Sequence, residues 1–487
     1  MKTNAKDRSI HESLYLVSFM NRSAMEAAMI WRTIEIIRAI NLIISGAMFC
    51  KNSTNLPNGI KGLFITFDAS NCRMKFLYNT GIFLFVLTVR LLSPFNSKVR
   101  LMVKGWKDWE QKLKEKAGAG GRNIWVHCAS LGEFEQGRPV IEELRRREPQ
   151  SRIILSFFSS SGYEIRKNYQ GADYVCYLPP DTPGNAERFV KAANPSAVIF
   201  VKYEFWNNYI SGVSRRNIPL YLVSGIFRPG QHFFSWYGGF FRKMLLSFTH
   251  IFVQDQKSES LLISAGINNV TVAGDTRFDR VIQIASSAKD IEALETFRGN
   301  SRLVLAGSSW PPDEEILARY IHEHPGTAKW VFAPHEIDNS NIERLEKLLG
   351  KGVVRYSEFT DAGADAEVMI IDNMGMLSSA YRYAGIAVVG GGFGKGIHNV
   401  LEPACWGIPV LFGPNYGKFR EAVDLIALGG ARSYSNYDEF ETAFESLAGN
   451  EEFYGKAADS AGRYVRENAG ATRKIMGIIA SKDINKQ

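Results

Sequence analysis

A chain of 487 residues with 45% hydrophobic content exceeds what one core usually supports, so two domains of similar size are expected. Its 58 Lys and Arg against 50 Asp and Glu give a net charge of +8, which suits anionic partners: nucleic acid, phosphorylated metabolites or an acidic membrane face. The five cysteines (Cys50, Cys72, Cys128, Cys176, Cys405) lie far apart with no CxxC pair, which excludes a disulfide framework and a zinc knuckle and points to a reducing compartment.

Residues 1–73 hold an apolar patch, AINLIISGAMFC, in a polar and irregular context, and Met74 followed by KFLYN looks like a start. These residues are expected to be an extension outside the working fold, and no cleavable secretion signal is evident. Phe76 to Leu92 is mostly apolar, broken by Asn79, Thr80, Thr88 and Arg90, close to the short limit of the roughly 20 residues that cross a bilayer. Basic residues flank it at Arg73, Lys75, Lys98, Arg100, Lys104 and Lys107, as for an anchor beside anionic headgroups on the cytoplasmic side. Residues 74–105 therefore read as a membrane anchor, with a buried core helix as the competing reading.

Beyond the anchor, short apolar runs alternate with helical stretches. NIWVHCASLGE, RIILSFFSSSGYEI, SAVIFVKYEFW, PLYLVSGIF and HIFVQDQ predict one parallel sheet covered on both faces. RLVLAGSSW, KWVFAPHE, EVMIIDN, IAVVGGG and IPVLFGP predict a second. The expected division is a first Rossmann-like domain over 106–292 and a second over 293–487, with ligands in the cleft outside the strands' carboxyl ends.

Gly390 to Pro414 reads GGGFGKGIHNVLEPACWGIPVLFGP, a strand end running through glycines into a predicted helix. Glycines allow positive φ and close approach of a ligand to the main chain, and amides at the helix start favour phosphate. Neither dinucleotide nor P-loop grammar fits, because Gly394-Lys395 is followed by Gly396. Glu402 is suited to accept hydrogen bonds from a ribose diol, or equally to sit as an ordinary first-turn acid on the helix dipole.

This stretch resembles the donor motif of GT-B glycosyltransferases, and in particular the 3-deoxy-D-manno-octulosonic acid (Kdo) transferases of lipopolysaccharide assembly. VHCASLGEFEQGRPVIEELR, YLPPDTPGNAERFV, VKYEFWNNYI and VAGDTRFDRV are similar to that family's other segments, in order, and the resemblance runs from about Met74 to the C-terminal helices. It implies a metal-independent, inverting enzyme without cofactor that moves Kdo from CMP-Kdo to a lipid A precursor, lipid IVA, at the cytoplasmic face of the inner membrane.

By the same resemblance Glu133 is the catalytic base, a role a carboxylate fills for a sugar hydroxyl, with Glu135 expected to face elsewhere. Gly390, Gly391, Gly392, Gly394, Gly396, Asn399 and Glu402 would hold the donor, helped by Ser308, Ser309 and His335. Glu204, Arg228 and Trp236 would face the acceptor, in aromatic segments suited to acyl chains or a disaccharide. No Asp-x-Asp pattern is present to hold a divalent ion.

Three departures from the family pattern stand out. Pro334-His335-Glu336 replaces Pro-Arg-His, Met376 occupies a Gly-Glu-Leu segment, and VSGIFRPGQHFFSWYGG replaces Asn-Ala-Arg, leaving Arg228 as the basic contact. Two other readings remain open from sequence: a UDP-sugar transferase or epimerase of the same fold, and a nucleotide- or nucleic-acid-binding module, although no RNP, helix-turn-helix or zinc pattern supports nucleic acid as a partner.

Overall fold

The computed structural model describes residues 69–117 and 121–484. Its strands form two seven-stranded, wholly parallel sheets. The first contains β1 (Asn123–Cys128), β2 (Arg152–Phe157), β3 (Tyr174–Tyr177), β4 (Pro195–Val201), β5 (Leu220–Gly225), β6 (His250–Val253) and β7 (Val270–Val272), in the order β3-β2-β1-β4-β5-β6-β7. The second contains β8 (Leu303–Ser309), β9 (Lys329–Pro334), β10 (Val353–Arg355), β11 (Val368–Ile370), β12 (Ile386–Val389), β13 (Val410–Phe412) and β14 (Ala431–Ser433), in the order β10-β11-β9-β8-β12-β13-β14.

Side-chain alternation explains why both faces of each sheet are dry. In β1, Trp125 pairs in register with Ile154 and Val198, and these side chains enter one core. Ile124 and Val126 point the other way, into a second core with Ile153, Leu155 and Ile199. The second half repeats the scheme, with Val304 and Trp330 on one face and Leu305 and Val331 on the other. This is the doubly wound α/β architecture expected, twice over. Of the ten predicted strands all form; β3, β7, β10 and β14 were not predicted, and all four are the outer strands of their sheets.

Three expected boundaries shift. Helix Ala69–Leu92 starts five residues before Met74, so the boundary at 73/74 falls inside it; residues 1–68 lie outside the described residues. The anchor segment is two helices: the chain turns at Ser93–Asn96 around Pro94, and Asn96 caps helix Ser97–Gly105 by accepting the Val99 amide at 3.1 Å. The last helix, Ala471–Ile484, lies beyond 293 but packs with the first half, because Ile475, Met476 and Ile479 enter the core of β1 and β2. Asp279 fixes its start by accepting the amides of Gly470 (2.5 Å) and Thr472 (2.6 Å).

Candidate functional site

The carboxyl ends of both sheets meet in a cleft of about 1150 Å³. The first half contributes Lys202 after β4, Arg228 after β5 and Asp255 after β6; the second contributes Lys418 to Asp424 after β13. Arg277 bridges the halves. It donates to Asp275 (2.8 Å) and to both oxygens of Glu421 (2.7 and 3.2 Å), and these two carboxylates raise its pKa against the effect of burial.

Three non-glycine residues at the carboxyl ends of strands adopt left-handed backbone: Lys202 (φ 68°), which lines the cleft, Ser224 (φ 57°) and Ser308 (φ 51°). Such conformations persist where surrounding packing enforces them, and they gather at functional sites. Among the described residues, Lys202, Arg228 and Lys257 line the cleft with no carboxylate in ion-pair range. Neither Lys202 nor Lys257 was singled out from the sequence; each follows a predicted strand directly, in FVK and VQDQK, which was the available signal.

Glu133 lies half-buried in the first turn of helix Leu131–Arg147, after β1, where the hydroxyl of Ser130 donates to its carboxylate. Burial raises the pKa of the Tyr203 phenol, Arg228 opposes that rise and Glu133 and Asp255 reinforce it; Tyr203, Arg228 and Asp255 all line the cleft. Glu135 engages a different partner from Glu133, pairing with Arg166 at 2.9 Å. Helix Thr276–Ser286 packs against both the helix that carries Glu133 and the short helix that carries Glu402.

On the other wall the glycines play different parts. A Cβ on Gly390 would sit 2.2 Å from the Ser308 carbonyl oxygen, and one on Gly392 would sit 2.5 Å from Gly413 Cα. The bare backbone there lets the ends of β8, β12 and β13 touch one another, a closer approach than the expected one to a ligand. Gly391 (φ 89°) turns the chain so that its amide reaches Asp313 at 3.0 Å. Gly396 also has positive φ and lies against Lys418 and Phe419 of the cleft wall. A Cβ on Gly394 would meet nothing closer than 3.6 Å.

The predicted helix at 400–407 is only Leu401–Cys405, and the Leu401 amide is already taken by Asn399 Oδ1 at 3.1 Å. It is too short to supply the phosphate-binding amide cluster expected of it. Asn399 also donates to Glu402 Oε1 (2.9 Å), and Ser378 donates to Oε2 (2.6 Å). Burial raises the Glu402 pKa, and these two donors oppose the rise. Ser378 was missed, although it follows the Met376 departure by two residues.

Ser309 is framework. Its buried hydroxyl donates to Glu314 at 2.8 Å, and Glu314 in turn pairs with Arg344. Ser308 remains half-exposed at the strand end. His335 stacks between Trp310 (centroids 4.7 Å apart) and His398 (4.6 Å). Burial and the neighbouring His335 lower the His398 pKa, and His398 Nε2 accepts the Trp310 indole N–H at 3.1 Å. An acceptor at Nε2 implies a neutral His398 ring protonated on Nδ1.

Glu204 is buried, and its Oε2 accepts from Trp206 Nε1 (2.6 Å) and lies 3.0 Å from His127 Nε2. That network holds the loop after β4. Arg228 lines the cleft, whereas Trp236 is 81% exposed and lines neither this cleft nor the apolar groove beside it. Among the described residues, Glu323, His324 and Glu441 form a group able to hold a metal ion. It sits at the far end of helix Pro311–Glu323, whose first turn faces the glycine loop through Asp313.

Asp313 is almost fully buried, and burial pushes its pKa up to about 6 although the Gly391 and Trp310 amides donate to it. A raised carboxyl stabilises the fold while protonated and loses that contribution as pH climbs from the unfolded value through about 6. Asp313→Asn is therefore expected to flatten the fall in stability between pH 4 and 7, by on the order of 2 kcal/mol, in denaturant melts across that range.

Comparison with known proteins gives a consistent result. A family model for 3-deoxy-D-manno-octulosonic-acid transferase (kdotransferase) matches residues 107–280. The chain is 31% identical to the 3-deoxy-D-manno-octulosonic acid transferase of Aquifex aeolicus over 329 residues, covering 66% of this chain and 83% of that protein. It is 24% identical to the Haemophilus influenzae protein of the same name over 390 residues, covering 76% and 91%. In fold it is similar to the Neisseria meningitidis UDP-GlcNAc 2-epimerase, with TM-score 0.53 at 16% identity, over 74% of this chain and 100% of that one.

Proposed function

Since the chain belongs to the 3-deoxy-D-manno-octulosonic acid transferase family of glycosyltransferases, we propose that it transfers Kdo from CMP-Kdo to lipid IVA, with inversion and without a metal, at the cytoplasmic face of the inner membrane. The observation that carries this reading is the cleft itself. Lys202, Arg228, Lys257 and Lys418 line it with no carboxylate in ion-pair range among the described residues, and Gly396 of the glycine loop lies against its wall residues Lys418 and Phe419.

In this mechanism Glu133 removes the proton from an acceptor hydroxyl as that oxygen attacks the anomeric carbon. The new bond forms on the face opposite the phosphate, the bond from carbon to phosphate oxygen breaks, and CMP departs with the electron pair. Charge developing on that phosphate is met by fixed cations and main-chain amides. Lys202, Arg228 and Lys418 are the side chains assigned to that task. Glu402, oriented by Ser378 and Asn399, takes the ribose hydroxyls through its remaining lone pairs.

Helix Ala69–Leu92 supplies the membrane contact. Arg73–Leu92 is long and apolar enough to cross a bilayer, and Phe76, Phe83, Leu84, Leu87 and Leu91 are exposed. Its other face is bolted to the first half: Tyr78 donates to Asp181 at 2.6 Å, and Asn79 accepts from Asn208 at 2.9 Å. A helix held along the protein in this way presents one apolar side to lipid, so it lies in the interface.

Mass spectrometry of lipid IVA after incubation with CMP-Kdo tests the reading. Addition of Kdo is expected, and transfer only from UDP-sugars would reverse it. Lys202→Ala and Arg228→Ala are each expected to raise KM for an anionic substrate on the order of tenfold, an effect that shrinks as ionic strength rises. Steady-state kinetics at low and high salt check both variants.

A further inference from the structure

Beside the cleft, an apolar groove of about 410 Å³ runs between helix Ala69–Leu92 and helix Gly239–Leu246. We propose that this groove holds one acyl chain of the glycolipid acceptor while the acceptor's sugar occupies the cleft. The inference rests on the acceptor being a lipid-linked sugar, as set out above.

Four observations carry it. The walls are hydrocarbon and aromatic, chiefly Met74, Leu77, Phe85, Phe158, Phe240 and Phe241. The polar groups lining it, apart from Tyr203 at the mouth, already have partners. Tyr78 donates to Asp181 and accepts the Asn207 amide at 3.2 Å, and the Glu204 carboxylate is held by Trp206 and His127. With no polar group left to reward, the groove selects an apolar occupant.

One wall is the helix whose outward face carries Phe83, Leu84, Leu87 and Leu91, so the groove opens beside the surface proposed to meet lipid. Tyr203 lines both the groove and the cleft, and it lies between Lys202 on the cleft side and Glu204 on the groove side. A molecule with a charged sugar head and a hydrocarbon tail would occupy both spaces, passing Tyr203 at their shared wall. A soluble sugar acceptor would leave the groove unused.

Gly81 provides the test. It lines the groove, and a Cβ built on it meets nothing within 4 Å, so a larger side chain fills the space without pushing the backbone. Gly81→Leu also favours the helix over glycine. With tetra-acylated acceptor, Gly81→Leu is expected to raise KM on the order of tenfold with little change in kcat. With the same acceptor chemically deacylated, KM is expected to move by no more than about twofold. Equal effects on both acceptors, or none on either, overturn the proposal.

A second readout does not depend on transfer. Trp206 lines the groove, so acceptor with brominated acyl chains is expected to quench fluorescence in the wild-type protein, with less quenching in Gly81→Leu and in Trp206→Phe. Quenching without Kdo transfer would sink the proposed reaction and leave the groove a lipid site. Quenching that survives Gly81→Leu, or that brominated phospholipid produces equally well, overturns the assignment to the acceptor's chain.

Discussion

Glu133→Gln is expected to lower kcat by about two orders of magnitude or more while donor affinity and melting temperature stay close to wild type. The amide keeps the size of the carboxylate and still accepts the Ser130 hydroxyl, so the helix start at Leu131 is preserved. What it loses is the capacity to take a proton. An interaction made only in the transition state appears as equal losses in kcat and kcat/KM. Release of CMP in the presence of acceptor measures the first, and calorimetric titration of CMP measures donor binding. Turnover within a few-fold of wild type would remove Glu133 from the mechanism. Replacement by Ala is the weaker test, because it also removes the partner of the Ser130 hydroxyl.

Gly390→Ala and Gly392→Ala are expected to abolish detectable transfer for a different reason. The added methyl on Gly390 meets the Ser308 carbonyl oxygen at 2.2 Å and Ser309 Cα at 2.7 Å; on Gly392 it meets Gly413 Cα at 2.5 Å. All of these atoms are main chain, so no rotamer change relieves the contact. Overpacking of this kind costs about 1–3 kcal/mol or more, and the chain answers by moving the strand ends apart. That displaces the loop after β12, which is proposed to face the donor. Gly394→Ala is the control: its Cβ has ordinary space, so activity near wild type is expected. Thermal melts and CMP titrations of the three variants separate a misplaced loop from an unfolded domain. If all three behave alike, close packing of strand ends is not what these glycines provide.

The parts of the site that could be read from sequence were those set by strand order. Glu133, Arg228 and the Gly390–Gly396 loop each follow a predicted buried strand, and in a parallel sheet every such residue arrives at the same edge. Two of the four strands that escaped prediction have a plain physical reason. β7 and β10 are three residues long and half-buried throughout, so no continuous apolar run marks them. Ser309 reads in sequence as a twin of Ser308, yet alternation sends its hydroxyl inward to Glu314. Trp236 reads as an acceptor contact because it lies among aromatics, and the fold leaves it on the open surface.

Unaided, the amino-acid sequence determined the two parallel sheets, the apolar helix ahead of them and the sheet edge at which the cleft lies. Periodicity and burial are local properties that survive in one dimension. Only tertiary structure decided that Arg277 joins the halves through Glu421, that Asp279 caps a helix 191 residues away, and that Tyr203 separates a charged cleft from an apolar groove. Those contacts depend on where distant segments come to rest, and no spacing along the chain encodes a distance across it.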